Sequence, residues 1–146
     1  MNKTVFITGA SSGIGEGGAR KFAAQGARLI LNSRSKGKLE TLAKELNEKY
    51  GTSCHVLPFD VCDRRAAAGA LASLPDEWSS IDVLINNAGL AIGVDKEHEG
   101  SLDEWDVVID TNIKALLAMI RMVVPGMVER GRGHIINIGS IAGDAA

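Results

Sequence analysis

Five short apolar runs alternate with segments of helical periodicity along the chain, and this alternation restricts the fold more than any other feature. The runs are nearly continuous rather than alternating, and they predict strands at 3–8, 28–33, 53–58, 81–86 and 134–139. Strands of this kind are typical of a parallel sheet that is covered on both faces. Right-handed crossovers between them predict an α/β fold, a doubly wound parallel sheet with strand order 3-2-1-4-5.

Two of the segments between the strands carry an apolar face with helical spacing. The first face consists of Leu39, Leu42, Ala43, Leu46 and Tyr50. The second is longer and consists of Leu102, Trp105, Ile109, Ile113, Leu116, Ile120 and Val123. Both segments are therefore predicted to be helices that pack on the sheet.

Capping and helix-breaking residues predict where some helices begin and end. Ser101 with Glu104 resembles a capping box at the start of the long helix. Asp63 is a candidate N-cap for a helix over Arg64–Leu74. Pro125 is expected to end or kink the long helix, because its ring removes a backbone donor and clashes with the preceding turn.

A glycine-rich loop, Thr8–Gly15, lies between the first predicted strand and the first predicted helix. Its spacing is Gly9-x3-Gly13-x-Gly15, wider than the common G-x-G-x-x-G pattern. Glycines let the backbone turn sharply and approach a ligand, and a helix N-terminus attracts anions. The loop therefore predicts a bound pyrophosphate. Gly17 and Gly18 follow in the helix, where each costs about 1 kcal/mol relative to alanine; they either permit close packing on the sheet or weaken the helix.

The end of the second strand bears on the choice of nucleotide. An acidic residue about twenty positions after the glycine loop would accept a hydrogen bond from a ribose 2′-hydroxyl and favour NAD. This chain has Ser33-Arg34 there instead, with Lys36 and Lys38 nearby. A guanidinium suits a 2′-phosphate because its donors form a charge-assisted fork. The sequence therefore favours NADP over NAD, with a solvated surface arginine as the alternative.

Polar residues also follow the third and fourth strands. Asp60, in Phe59-Asp60-Val61, is expected at the crevice, where it could accept from an adenine amino group or serve as a loop or cap carboxylate. Asn86-Asn87-Ala88-Gly89 ends the fourth strand. Its amides could pin neighbouring strands while Ala88 and Gly89 admit a flat ligand, although a simple turn would have the same composition.

Two further polar residues stand at positions where chemistry is expected. Asn112 interrupts the apolar face of the long helix, and a buried amide there must find partners. Ser140 follows the fifth strand, at the edge of the sheet where active residues collect in open α/β folds. Its hydroxyl could donate to a substrate oxygen. No general base is adjacent in sequence, so a serine hydrolase is not supported.

Composition excludes several other classes. The net charge of the 146 residues is −2, with dispersed Lys and Arg, which argues against nucleic acid or an anionic membrane as the main partner. No apolar run is long enough to span a membrane, and no secretory signal is evident.

Cys54 and Cys62 lack metal or redox spacing and indicate free thiols in the cytoplasm. No metal site is predicted, since the polar cluster Asp95, Glu97, His98 and Glu99 fits no familiar ligand set.

Taken together, these motifs resemble the classical short-chain dehydrogenase/reductase family in residue type, order and spacing. The resemblance rests on Thr8-Gly9-x3-Gly13-Ile14-Gly15, Asp60, Asn86-Asn87-Ala88-Gly89, Asn112 and Ser140, and it covers essentially the whole chain. The segments Leu71–Trp78 and Pro125–Ser140 are also similar to NADP-dependent 3-hydroxy acid, or serine-type, dehydrogenases. The resemblance implies a single Rossmann-like NAD(P)-binding domain over residues 1–146.

The resemblance also implies roles for individual residues. Hydride would pass between nicotinamide and a carbinol or carbonyl carbon, with a tyrosine–lysine pair as acid/base. Ser140 would orient the substrate oxygen, and Asn112 would hold a water of the proton relay. The remaining roles concern the cofactor. The pyrophosphate would lie on Gly9, Ser11, Ser12, Gly13, Ile14 and Gly15, the 2′-phosphate on Ser33 and Arg34, the adenine on Asp60 and Val61, and the ribose and nicotinamide approach on Asn87, Ala88 and Gly89.

The chain departs from the family pattern in one respect. The Tyr-x-x-x-Lys pair is expected about a dozen residues after Ser140, and the only tyrosine is Tyr50, with no lysine four residues on. The sequence is therefore interpreted as a family member truncated after the fifth strand. It is predicted to be inactive alone, with an exposed apolar edge strand and marginal stability or association. The full-length form is expected to be a homo-oligomer that acts on a small hydroxy acid or alcohol. The alternatives are a 3-oxoacyl thioester reductase and a non-catalytic NADP-binding fragment.

Overall fold

A computed structural model describes residues 1–89 and 98–140 of the chain. Its strands form one five-stranded parallel sheet in the order β3-β2-β1-β4-β5, which confirms the predicted topology. All five predicted strands are present, and each is shorter than its apolar run. Their bounds are β1 Thr4–Ile7, β2 Arg28–Leu31, β3 Cys54–Val56, β4 Val83–Asn86 and β5 His134–Asn137.

Helices connect the strands and cover both faces of the sheet. Their bounds are α1 Gly13–Ala24, α2 Lys36–Tyr50, α3 Arg64–Ala72, α4 Asp76–Ser79, α5 Leu102–Ile109 and α6 Ala115–Arg130, with a π-helical turn over Asp110–Lys114 between the last two. Within residues 1–89 and 98–140, no helix is both long and apolar enough to cross a membrane.

Successive residues of each strand enter opposite cores, because side chains alternate across a sheet. On one face Val5, Ile7, Leu29 and Leu31 pack with small and leucine side chains of α1 and α2. On the other face lie Phe6, Ile30 and Leu84, together with residues of α3, α4 and α6. Because both faces are buried, the strands read as continuous apolar runs rather than as alternating patterns.

The capping predictions had different outcomes. The Asp63 carboxylate accepts a hydrogen bond from the Ala66 N–H, which confirms it as the N-cap of α3. Ser101 does occupy the N-cap position of α5, but its side chain forms no capping hydrogen bond, so the capping box is wrong. Helix α3 ends at Ala72, before the predicted Leu74.

Of the two outcomes predicted for Pro125, an end of the helix and a kink, the first is wrong. The helix does not end at Pro125, which lies inside α6; that helix continues to Arg130 and is closed by Gly131 with φ 71°. Val123 and Met127, on either side of the proline, are both buried in the core, and this packing favours continuation of the helix despite the lost donor.

The apolar face of this segment is buried only in part. Leu102 and Ile113 are 71% and 54% exposed, and α5 contains no buried residue. The buried face belongs to α6 and consists of Ala115, Met119, Val123 and Met127. Apolar periodicity predicts that a helix has two faces, but it does not show which part of that helix lies on the sheet.

Candidate functional site

A cleft of about 490 Å³ opens at the carboxyl edge of β1, β2, β3 and β4. This is where ligands bind in doubly wound sheets, because the crossovers diverge there. It contains predicted site residues from four separate segments of the sequence. They are Gly9, Ser11, Ser12, Ile14, Ser33, Arg34, Asp60, Val61, Asn87, Ala88 and Gly89.

The glycine loop forms the floor of the cleft. Gly9 and Gly13 have φ of 63° and 55°, in the left-handed region that favours glycine. A Cβ at Gly9 would lie 2.9 Å from Asn87 Nδ2 and 3.0 Å from Ala88 Cα. A Cβ at Gly15 would collide with the Gly9 carbonyl and Asn87 Nδ2. Gly13 and Gly15 do not line the cleft; they shape the loop, and Gly15 lies buried beneath it.

Thr8 joins this loop to the end of β4. Its side chain is buried, and Oγ1 accepts hydrogen bonds from the Asn87 and Ala88 backbone N–H groups at 3.1 and 3.0 Å. Asn87 Nδ2 donates to the Gly9 carbonyl at 3.0 Å. The two strand ends are thus held together by polar groups, and the loop cannot move independently of the β4 segment.

Asn86 makes a comparable link to β5. Its Nδ2 donates to Asn137 Oδ1 at 3.0 Å, and the Ile138 N–H donates to the Asn86 carbonyl at 3.0 Å. The prediction that asparagines after β4 pin neighbouring strands is confirmed. Ser140 follows two residues after Ile138 and is exposed, beyond the end of β5; it is not among the residues of the cleft.

The end of β2 forms one end of the cleft. Ser33 Oγ accepts from the Ser35 N–H at 3.1 Å, which turns the chain into α2. Arg34 is exposed and borders the cleft. The first turn of α2 contains no acidic residue, and the Ser35 side chain forms no cap hydrogen bond. This end of the cleft therefore has a positive potential, from the arginine and from the helix dipole.

Asp60 and Val61 form the wall next to β2. Asp60 Oδ1 accepts from the Cys62 N–H at 2.9 Å, a local turn that fixes the direction of the carboxylate. Val61 is 8% exposed and supplies an apolar surface beside it. An apolar wall with an adjacent acceptor fits a flat ring that carries an amino group.

Asn112 does not have the environment that its position in the sequence predicts. It is exposed rather than buried, and it lies in the π-helical turn between α5 and α6. Its Oδ1 would be 3.4 Å from a Cβ built at Gly89, so it is near the far end of the cleft although it does not line it. Helix α5, which precedes this turn, contains no buried residue either, so this whole part of the helical segment lies outside the core of the described residues.

Several cleft residues were not singled out from the sequence. They are Asn32, Ser35, Phe59, Cys62, Val107 and Thr111. Asn32 could have been found as a polar residue that directly follows an apolar strand. Val107 and Thr111 belong to a distant helix, and no local signal relates them to the cleft.

The other sequence predictions concern metals and the α1 glycines. Among residues 1–89 and 98–140 no group of three His, Cys, Asp or Glu side chains could hold a metal ion. Asp95 and Glu97 lie outside the described residues, and His98 lies 3.4 Å from Glu99. A Cβ at Gly17 or Gly18 would meet nothing within 4 Å, so close packing does not explain these glycines.

The family model described as short chain dehydrogenase matches residues 3–146. The chain belongs to the short-chain dehydrogenase family. An NADP-dependent 3-hydroxy acid dehydrogenase of Escherichia coli O6:H1 is 48% identical over 139 residues, which are 95% of this chain and 54% of that protein. The chain thus spans about half the length of the curated relatives it matches.

Solved structures of short-chain dehydrogenases have the same fold. A serine dehydrogenase from Escherichia coli superposes with a TM-score of 0.90 at 48% identity, covering 97% of this chain and 63% of that one. An L-sorbose reductase from Gluconobacter frateurii, complexed with NADPH and L-sorbose, gives a TM-score of 0.91 at 32% identity, with 99% and 54% covered. The cleft described above is therefore a site in the amino-terminal portion of a short-chain dehydrogenase.

The two thiols of this short-chain dehydrogenase are expected to differ in reactivity. Cys62 is exposed in the cleft, with Sγ 3.2 Å from Thr111 Oγ1, whereas burial raises the pKa of the Cys54 thiol to about 11. Because the thiolate is the nucleophile, iodoacetamide at pH 8 should modify Cys62 first and Cys54 only after denaturation. Peptide mass spectrometry measures both rates, and equal rates in the folded chain would contradict this assignment.

The same raised pKa gives a pH dependence of stability. The unfolded chain ionises Cys54 near its ordinary pKa of 9, and the folded chain only near 11. The folded state thus binds more protons between these values, and the free energy of unfolding should fall as pH rises from 9 to 11. Urea titrations of the parent and of Cys54→Ala measure this, and the variant should have the smaller slope.

Proposed function

We propose that the protein is an NADP-dependent dehydrogenase that transfers hydride between its cofactor and a small hydroxy acid or the corresponding carbonyl compound. The observation that carries the proposal is the cleft, in which the glycine loop, Ser33-Arg34, Asp60 and Asn87–Gly89 meet along one edge of the sheet. The name of the Escherichia coli relative supports both NADP and the 3-hydroxy acid.

The residues of the cleft fit a dinucleotide. A Cβ at Gly9 or at Gly15 would meet Asn87 Nδ2, so only glycine lets the loop pack against the end of β4 and present its backbone to a pyrophosphate. Ser12, the N-cap of α1, forms no side-chain cap hydrogen bond, so N–H groups of the first turn are left for an anion. When bound, NADP supplies the hydride acceptor, and its reduced form supplies the hydride.

The end of β2 supports NADP rather than NAD. Arg34 presents a planar fork of donors at the mouth of the cleft, and Ser33 adds no negative charge that would repel a phosphate. The N-terminus of α2 has Lys36 and Lys38 in its first turn and no acid, an arrangement that a dianion would complement. Ser33 and Arg34 would hold the 2′-phosphate, and the two lysines, which do not line the cleft, would add only a long-range positive potential.

Ser140 and Asn112 are proposed to serve the reaction itself. The Ser140 hydroxyl, beyond the end of β5, would donate to the substrate oxygen and polarise it. Asn112 would position a water that exchanges protons with the acid/base group. Its place in a π-helical turn supports this role, because such turns occur frequently at functional sites.

The acid/base group is not found among the described residues of the cleft. The only tyrosine, Tyr50, is the last residue of α2, is 40% exposed and does not line the cleft. Residues 1–146 alone are therefore proposed to bind NADPH without appreciable turnover. A cytoplasmic location and homo-oligomeric assembly of the full-length protein remain predictions.

Two measurements on the purified 146-residue chain test the proposal. NADPH fluorescence titration should show saturable binding that is tighter than NADH binding. Oxidation of 3-hydroxy acids with NADP, and reduction of a 3-oxoacyl thioester with NADPH, should both proceed at a small fraction of the rate of a full-length family member. If the chain does not bind NADPH at millimolar concentration, the assignment of NADP as cofactor is wrong. If its turnover equals that of a full-length family member, the proposal that residues 1–146 are inactive is wrong.

A further inference from the structure

Asn32 is a buried polar residue that lines the cleft at the end of β2. It directly follows the last residue of that strand and is 1% exposed. Its Nδ2 donates to the Leu57 carbonyl at 3.0 Å and to the Phe59 carbonyl at 3.1 Å. Because carbonyl oxygens only accept hydrogen bonds, the two partners fix the orientation of the amide. Nδ2 must point at the segment after β3, and Oδ1 must point away from it.

Asn32 Oδ1 is buried and has no hydrogen-bond partner among the described residues. An acceptor of this kind is unfavourable in a folded chain, and its retention requires an explanation. If Asn32 served only to join two strands, an arrangement that also satisfied its oxygen would be better. The unpaired oxygen is an unfavourable consequence of the position that directs Nδ2 at the Leu57 and Phe59 carbonyls.

The segment that Asn32 holds is the one that carries Asp60 and Val61. Strand β3 ends at Val56, and two backbone hydrogen bonds join the following residues to β2: Leu57 N–H to the Leu31 carbonyl at 2.9 Å and Phe59 N–H to the Ser33 carbonyl at 3.2 Å. The Asn32 amide binds the carbonyls of those same two residues. The Asn32 amide therefore holds in place the residues that lead from β3 to the Asp60–Val61 wall.

Asn32 is also bonded, through its backbone, to the glycine loop that forms the floor of the cleft. Its backbone carbonyl accepts from the Ala10 N–H of the glycine loop at 2.8 Å, and its own N–H donates to the Ile7 carbonyl at 3.0 Å. One residue thus connects the pyrophosphate loop to the Asp60 segment. The distance between the glycine loop and the Asp60–Val61 wall determines whether an adenosine fits between them.

We propose that Asn32 is a positioning residue for the adenosine half of the cofactor, an inference that rests on the proposed function. Its side-chain N–H groups, bonded to the Leu57 and Phe59 carbonyls, set the distance of the Asp60–Val61 wall from the glycine loop. Removing the amide should loosen the Asp60–Val61 wall and weaken binding of the adenosine half. Loss of a strand link elsewhere in the sheet should not have this effect.

The experiment measures binding of 2′,5′-ADP, the adenosine half of NADP, by calorimetry on the 146-residue chain. The variant is Asn32→Leu, which has the same number of side-chain heavy atoms and no hydrogen-bonding group. The matched control is Asn86→Leu. Asn86 is also a buried asparagine at a strand end, with 4% of its surface exposed, but its side chain bonds to Asn137 rather than to the segment that leads to the Asp60–Val61 wall. Urea unfolding of all three proteins shows how far each variant is destabilised.

We expect the dissociation constant of 2′,5′-ADP to rise at least tenfold in Asn32→Leu and less than threefold in Asn86→Leu. Equal affinities for the two variants would overturn the inference. If Asn32→Leu does not fold, Asn32→Ser retains one hydroxyl donor and should show a three- to tenfold loss; unchanged binding there would also overturn the inference. Failure of the parent chain to bind 2′,5′-ADP would overturn the proposed function as well.

Discussion

Replacing Gly15 with alanine is expected to lower the free energy of unfolding by about 3 kcal/mol or more and to remove measurable NADPH binding. The added Cβ would collide with the carbonyl of Gly9 and with Asn87 Nδ2, and would lie 2.8 Å from the Gly9 carbonyl carbon. The Gly9 atoms belong to backbone, which cannot rotate away as a flexible side chain can.

The collision would also disturb the polar network of the site. The Gly9 carbonyl accepts from Asn87 Nδ2, and Asn87 and Ala88 donate to Thr8 Oγ1. Displacement of the loop breaks these hydrogen bonds, and each buried group that is left unpaired lowers the free energy of unfolding by about 1–3 kcal/mol. Stability and binding should therefore be lost together, as measured by urea unfolding and by NADPH fluorescence titration.

Gly17→Ala is the matched control, in the same helix two residues away. A Cβ there would meet nothing within 4 Å, and no positive φ is recorded for this residue. The substitution should stabilise the chain by about 1 kcal/mol, because alanine has the higher helix propensity. Binding should remain within twofold of the parent. A Gly15→Ala protein as stable as the parent would contradict the loop geometry described above.

Replacing Arg34 with alanine is expected to raise the dissociation constant of NADPH about 10- to 100-fold, the loss expected for one or two hydrogen bonds to a charged group. The dissociation constant of NADH should change less than twofold, because NADH has no 2′-phosphate. Arg34→Lys should recover only part of the affinity, since an ammonium lacks the planar fork of donors. Fluorescence titration of the parent and the two variants with both cofactors gives the six dissociation constants required.

The control for Arg34 is Lys38→Ala in the first turn of α2. Lys38 is exposed and, unlike Arg34, does not line the cleft. Its loss should change NADPH affinity less than threefold and mainly at low salt, because a solvated charge acts over distance and is screened. Arg34→Ala affecting NADPH and NADH equally would show that the arginine does not read the 2′-phosphate. The double variant Ser33→Asp with Arg34→Ala should prefer NADH.

Some features of the site follow from local sequence. The glycine spacing between β1 and α1, and the position of Ser33-Arg34 after β2, predict two parts of the cleft because the carboxyl ends of parallel strands share one edge. Asp63 was predictable as a cap because an aspartate before a helix needs only its own neighbours to act.

Other features depend on contacts that are distant in sequence. Asn112 was expected to be buried, and it is exposed in the π-helical turn that follows α5. Leu102 and Ile113 have the spacing of a packed face, yet both are exposed. The spacing of apolar residues shows that a helix has an apolar face. Whether other residues cover that face depends on how α5 and α6 lie against the sheet.

The sequence by itself determined the strand order, the two-sided core and the glycine-rich loop after β1. The core and the loop follow from short-range patterns of apolar residues and glycines, and the strand order follows from the right-handed crossovers that alternating strands and helices make. Only the tertiary structure decided how the walls of the cleft are joined, through Thr8 to Asn87 and through Asn32 to Leu57 and Phe59. These are hydrogen bonds between residues 25 to 79 positions apart, and their partners are selected by the folded geometry rather than by any neighbouring residue.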